Sequence, residues 1–178
     1  MRKMLVFLFL VFIFCMLTAC SSETNRNEFV RNADFEQISI EDPSDIDNYI
    51  IEKGYEILSS VGKIDEYKVE KKRLYDSWQI WAVQSSEPDG YMGKVISTYA
   101  YKVRNHFLDN ESPNKKTYLC MMVCENKIIG GYSNPDYEGV DVALIPVGGV
   151  YSLEGKNFED VKKIDYGTWR DKYIKKYE

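Results

Sequence analysis

Several residue types and patterns that small enzymes and binding proteins rely on are scarce in this chain. A single histidine, His106, stands among 178 residues, which excludes metal centres built on several imidazoles. The glycines form no phosphate-cradling loop, and neither a metalloprotease helix nor a nucleophile elbow is present. Basic residues are not in excess: 23 Lys and Arg face 28 Asp and Glu, a formal charge of −5, which argues against nucleic acid as a partner. The longest apolar run, Met4 to Cys20, falls short of the roughly 20 residues a membrane span requires, and it ends in small residues without a basic stop-transfer cluster.

The N-terminus carries a different signal. Met1-Arg2-Lys3 is a cationic start, Met4 to Leu17 an apolar run of Leu, Val, Phe and Ile, and Ala19 a small residue before Cys20. Leu17-Thr18-Ala19-Cys20 resembles the lipobox of bacterial lipoproteins. The resemblance implies diacylglyceryl attachment to the Cys20 thiol, cleavage before it, and a protein held by its acyl chains on the extracytoplasmic face of the cell membrane. Ordinary secretory cleavage is the competing reading; Leu17 and the position of the thiol favour lipidation.

Residues 1–19 are therefore expected to be a signal peptide. Without Arg2 and Lys3 the remaining 21 basic residues face 28 acidic ones, a net charge near −7. An anionic membrane surface repels such a chain on average, so the lipid has to supply the anchor. Residues 20–41, rich in Ser, Asn, Glu and Asp, read as a flexible tether with a reach on the order of 25 Å. Residues 42–178 suit one domain, whereas a clam-shell solute receptor would need two.

Within that domain, Asp42 and Pro43 open a helix whose Ile46, Tyr49 and Ile50 share a face, and Lys53-Gly54 close it. Tyr55 to Leu58 reads as a short strand, 61–66 as a loop and Tyr67 to Lys71 as an edge strand. A second helix is expected over Arg73 to Ser85, with Leu74, Trp78, Trp81 and Ala82 on one stripe, stopped by Glu87-Pro88-Asp89-Gly90. Lys94 to Phe107 alternates, with Val95, Tyr99, Tyr101 and Val103 on a buried face and Thr98, Lys102, Arg104 and His106 on a wetter one. Thr117 to Cys124 is apolar on both faces and belongs in the sheet interior. Glu125-Asn126-Lys127 turns into a strand from Ile128, making a meander, and 141–147 adds a last strand stopped by Gly148-Gly149. Lys156-Asn157-Phe158 reads as a loop, and an amphipathic helix begins near Gly167. The fold class is α+β: two early helices and a C-terminal helix covering one face of a mostly antiparallel sheet of four or five strands.

Three runs carry a second resemblance: Tyr91-Met92-Gly93-Lys94, Tyr99-Ala100-Tyr101-Lys102-Val103, and Asn126-Lys127-Ile128-Ile129-Gly130-Gly131. Together they resemble an uncharacterised family of Firmicute secreted and membrane-tethered domains. The match runs from about Asp45 to Leu144 and takes in the Gly54-Tyr55 break and Gln84 at the end of the second helix. The family often has an acidic residue where Tyr132 stands here and a Gly-Phe-Met-like run at Gly139 to Val142. It has no assigned activity, so the resemblance implies a shared domain and no chemistry.

The chemical candidates are few. Cys15 leaves with the signal and Cys20 takes the lipid, so Cys120 and Cys124 remain. Four residues apart in one strand they are about 13 Å apart, too far to bridge, and read as buried free thiols. If the strands flanking 105–116 pair around Ser112, His106 is a diagonal neighbour of Cys120, the best constellation the chain offers for a nucleophile and base. No third group orients the imidazole, so a small Cys-His envelope hydrolase is the alternative reading and a non-enzymatic interaction module the preferred one. Asn134, Asp136, Glu138 and Gly139 mimic half a calcium loop, but Ile145 replaces its closing glutamate, so the stretch reads as a surface turn. Neither a metal nor a cofactor is implied. Trp169, Tyr173 and Tyr177 repeat at four-residue spacing among Arg170, Lys172, Lys175 and Lys176; they could dock an envelope partner or lipid headgroups, although such a stripe is more often core.

Overall fold

The computed structural model describes residues 39–40, 42–140 and 149–178. All of them belong to one compact unit, Gln37–Glu178; Met1–Glu36 lies outside the described residues, as do the lipobox and the strand expected at 141–147.

Helix α1 spans Pro43–Glu52. The Asp42 carboxylate accepts from the Ser44 amide at 2.8 Å, and Asp45 reaches back to the Asp42 amide at 3.0 Å, so two amides that no helical carbonyl can serve are satisfied reciprocally. The Ser44 amide, with the Ser44 hydroxyl second to it, holds the Asp42 carboxyl below its ordinary pKa. Gly54, at φ +88°, ends the helix in the left-handed region that glycine alone enters without strain.

Strand β1 is one continuous element, Glu56–Lys68, where the sequence predicts two short strands around a loop. It pairs antiparallel with β2, Val95–Arg104, through ten residue pairs, and three register shifts leave Leu58, Val61 and Ile64 without a partner. An extra residue at every third position destroys the two-residue alternation by which a strand is recognised.

The helix expected over 73–85 is two short ones, α2 (Lys71–Asp76) and α3 (Trp78–Ala82). At the break, the Ser77 hydroxyl donates to the Arg73 carbonyl at 2.6 Å, the back-bonding that bends helices. Leu74, Trp81 and Ala82 are buried as the stripe requires, and Trp78 is half-buried.

Strand β3 (Thr117–Cys124) joins β4 (Lys127–Pro135) through Glu125 and Asn126, at φ +50° and +58°, the two-residue turn whose twist matches a hairpin. A two-residue β5 (Tyr151–Ser152) follows, beyond the predicted stop at Gly148-Gly149. The sheet is an antiparallel meander in the order β1-β2-β3-β4-β5, with β3 at its centre. Asn157, predicted in a loop, caps α4 (Phe158–Lys162) by accepting from the Asp160 amide at 2.9 Å. Helix α5 spans Tyr166–Tyr177, with Asp165 accepting from the Thr168 amide at 2.7 Å.

Alternate residues of β3 enter two separate cores. Met122 and Cys124 pack with Leu74, Trp81, Phe158, Trp169, Tyr173 and Tyr177; Leu119 and Met121 pack with Ile46, Tyr49, Ile50 and Leu153. Helices therefore lie on both sheet faces, which corrects the expectation that they cover one. The cause is the two-sided apolar pattern of β3, since an interior strand without a wet face needs a cover on each side. The wet face assigned to β2 is corrected with it: Ile96, Thr98 and Ala100 are buried on one side, Tyr101 and Val103 on the other, and Val95 is 50% exposed.

Candidate functional site

The structure does not bring His106 and Cys120 together. Strands β2 and β3 pair Val103 with Thr117 and Ala100 with Cys120, so they turn about Asn110 instead of Ser112, and Cys120 sits opposite a residue six positions before His106. The register differs from the expected one because the connection is not a simple turn. It contains a 3₁₀ turn, Phe107–Asn110, with His106 at its N-cap.

Both imidazole nitrogens are engaged there. Nδ1 accepts from the Leu108 amide at 3.1 Å, and Nε2 lies 2.9 Å from the Leu153 carbonyl, which can only accept, so the neutral ring carries its proton on Nε2. The Tyr55 ring lies 4.8 Å away, centre to centre, and burial pushes the His106 pKa below its ordinary value. The histidine is a clip between the β2–β3 connection and the segment after β5. Cys120 is 1% exposed, and burial pushes its thiol up to about 11, opposite to what a nucleophile needs. Cys120 and Cys124 are both free and buried.

Trp169, Tyr173 and Tyr177 are 7, 4 and 3% exposed, so the stripe offered as a docking surface is turned into the core. Phe158, Trp169, Tyr173 and Tyr177 stack in series with ring centres 5.3, 4.9 and 4.6 Å apart, and the Tyr173 hydroxyl donates to the Leu74 carbonyl at 3.3 Å.

The Asn134–Gly139 stretch is not a simple surface turn. Asp136 is buried; its carbonyl accepts from the Ser112 hydroxyl at 2.9 Å, and its Oδ1 accepts from the Glu138 amide at 3.0 Å. Its Oδ2 faces the Lys102 ammonium at 4.0 Å, and Lys102 also binds Glu138. The lysine supplies the positive charge these carboxylates share. Among the described residues no three His, Cys, Asp or Glu side chains converge as a metal site, and no helix is long and apolar enough to cross a membrane.

What the residues build most deliberately is the margin of the sheet. On the outer side of β4, Ser39 bridges to Lys127, and the Ile40 amide donates to the Asn126 carbonyl at 2.6 Å. Further along, the buried Gln84 side chain takes the place of a strand residue. Its Nε2 donates to the Gly131 carbonyl at 2.9 Å, and its Oε1 accepts from the Gly131 amide at 3.1 Å. Beyond that, β5 pairs with Tyr132 and Ser133. A side chain on Gly131 would collide with the Cys120 carbonyl and Leu153, and one on Gly130 with Gln84 itself, which explains the adjacent glycines of the Ile-Gly-Gly run.

The opposite margin, β1, is defended by its bulges and by charge. Lys63 pairs with Glu66 at 2.6 Å, and Arg73 pairs with Asp65. Val61 and Ile64 are exposed along it. In the sequence Gln84 and Gly130-Gly131 are separate features, because no local pattern joins a side chain to a backbone 47 residues away. Neither a protein-family model, nor a curated protein, nor a solved structure matches this chain.

Proposed function

We propose that this protein is a lipid-anchored interaction module on the extracytoplasmic face of the cell membrane, attached through acyl chains on Cys20 and engaging an envelope protein partner. The observation that carries the reading is the run Leu17-Thr18-Ala19-Cys20 after a cationic start and a short apolar stretch. The placement of His106 and Cys120 supports a binding role over hydrolysis, because the imidazole is held between Leu108 and Leu153 and the buried Cys120 lies opposite Ala100, away from it. The architecture behind the proposal is an α+β module in which two early helical segments and a C-terminal helix surround the meander.

The anchor is tested by replacing Cys20 with Ala and following incorporation of labelled palmitate and membrane retention. Both are expected to be lost while the protein is still made; a labelled, membrane-retained Cys20→Ala protein would sink the proposal. Crosslinking of the acylated protein in intact cells, followed by pull-down, then tests for the partner.

A further inference from the structure

The helices on the two faces of the sheet differ in charge. Helix α1, on one face, carries Asp45, Asp47 and Glu52 and no basic residue. Helices α2 and α5 share the core of the other face through Leu74, Tyr173 and Tyr177, and carry seven Lys and Arg against two Asp in a chain whose formal charge is −5. Arg73 and Lys176 are engaged by Asp65 and Asp89. Lys71, Lys72, Arg170, Lys172 and Lys175 are exposed, with Asp76 and Asp171 the two acids among them. Aromatic rings lie beside these cations. Tyr75 is 40% and Tyr166 37% exposed, and the half-buried Trp78 holds the Arg170 guanidinium 5.3 Å and the Tyr166 ring 5.8 Å from its own centre.

That combination matches one kind of partner. Tyr and Trp suit a membrane–water interface, where an apolar ring with a polar rim sits at the headgroup level, and each Lys or Arg near an anionic surface adds attraction. The same surface repels the α1 side, so the charge difference selects one orientation even though the chain as a whole is acidic. We infer that the outer side of the α2–α5 layer docks on anionic lipid headgroups, with the α1 side turned to solvent. That this happens at the cell's own membrane rests on the lipid anchor proposed above: a tethered domain needs only weak attraction, because the anchor keeps its local concentration high. The preference of this face for anionic lipid does not depend on that anchor.

The test uses the full chain as the cell makes it, with a fluorophore on Gln79→Cys in α3, beside the α2–α5 layer, or on Asn48→Cys in α1, both exposed and uncharged positions. Cys120 and Cys124 are buried and leave the label to the introduced thiol. Quenching by headgroup-labelled lipid is compared on phosphatidylcholine vesicles with and without about 30% phosphatidylglycerol. On the anionic vesicles it is expected to be at least about threefold stronger for the Gln79→Cys label than for the Asn48→Cys label, and to become equal in about 0.5 M salt, where charges are screened. Lys71→Glu combined with Lys175→Glu is expected to equalise the two labels as well; if that variant misfolds, the salt series on the unreversed chain applies the same criterion. Equal quenching on anionic vesicles in low salt overturns the inference. A difference that persists on neutral vesicles or in high salt overturns it too, because something other than charge would then hold this face. Absence from neutral vesicles counts against the acyl anchor alone, and association with the anionic ones still reads the face; absence from both overturns the docking as well.

Discussion

Replacing Gln84 with Leu keeps the side-chain volume and removes every polar atom beyond Cβ. In the native fold the amide makes three hydrogen bonds: to the Ile80 carbonyl at 2.9 Å, to the Gly131 carbonyl at 2.9 Å and from the Gly131 amide at 3.1 Å. Gln84 is 3% exposed, so water cannot take over without opening the edge. Leaving a buried donor or acceptor unsatisfied costs about 1–3 kcal/mol, and Gly131 loses partners for both its groups, so a loss of about 2–5 kcal/mol follows, reduced slightly by the added apolar contact. For a domain of this size that lowers Tm by roughly 5–15 °C. Gln84→Glu should be at least as damaging, because a carboxylate oxygen would then face two carbonyl oxygens. Urea unfolding gives the free energy, and exchange at the Gly131 amide shows where it is lost. A change below about 1 kcal/mol with Gly131 still protected would refute the view that this side chain stands in for a strand.

Three other outcomes follow from the same geometry. Burial lowers the folded-state pKa of His106, so below about pH 6.5 the unfolded chain binds a proton that the folded chain refuses. Stability therefore falls as pH drops through that region, by at most about 1.4 kcal/mol per pH unit from this one group, and the comparison of wild type with His106→Gln between pH 5 and 7 should show that slope disappearing in the variant. Tyr173→Ala removes a buried ring from the aromatic series and is expected to destabilise by about 3–5 kcal/mol in thermal or urea unfolding, whereas a loss only of partner binding with full stability would return the stripe to the surface. Cys120 and Cys124 should resist a thiol reagent in the native protein and both react in denaturant; a native disulfide between them would contradict the strand that separates them.

Legibility followed sequence distance. The interior position of β3 could be read from apolar residues on both its faces, and the tight hairpin from Glu125-Asn126-Lys127, because each signal is contained in a few consecutive residues. Strand β1 could not, because its extra residues recur every third position and imitate a loop. The register of β2 and β3 depended on whether 105–116 turns simply or through a 3₁₀ element, and His106, read as a strand residue, is the cap of that element. The two-sided apolar pattern of β3 requires cover on both sheet faces, and the stripe of each helix does not tell which face it covers. Closure of the β4 edge was illegible because Gln84, Ser39 and Ser152 reach it from three distant parts of the chain.

The three-residue rhythm of β1 has a bearing on how this chain tolerates changes in length. Its 13 residues serve only ten partners on β2. A single deletion within it can be absorbed at the nearest bulge: without Val61, Ser60 and Gly62 keep Tyr101 and Ala100 as their partners, and without Ser60, Val61 steps into its place. Strand β1 is thus a reservoir of slack, able to shed a residue at each of three points while its remaining pairs stay in step. Strand β3 has no slack on its β2 side, where all eight of its residues are paired one to one. A deletion there would exchange the residues sent to the two cores along everything that follows it in the strand. Length variation in this fold is therefore expected to collect in β1 and to be absent from β3.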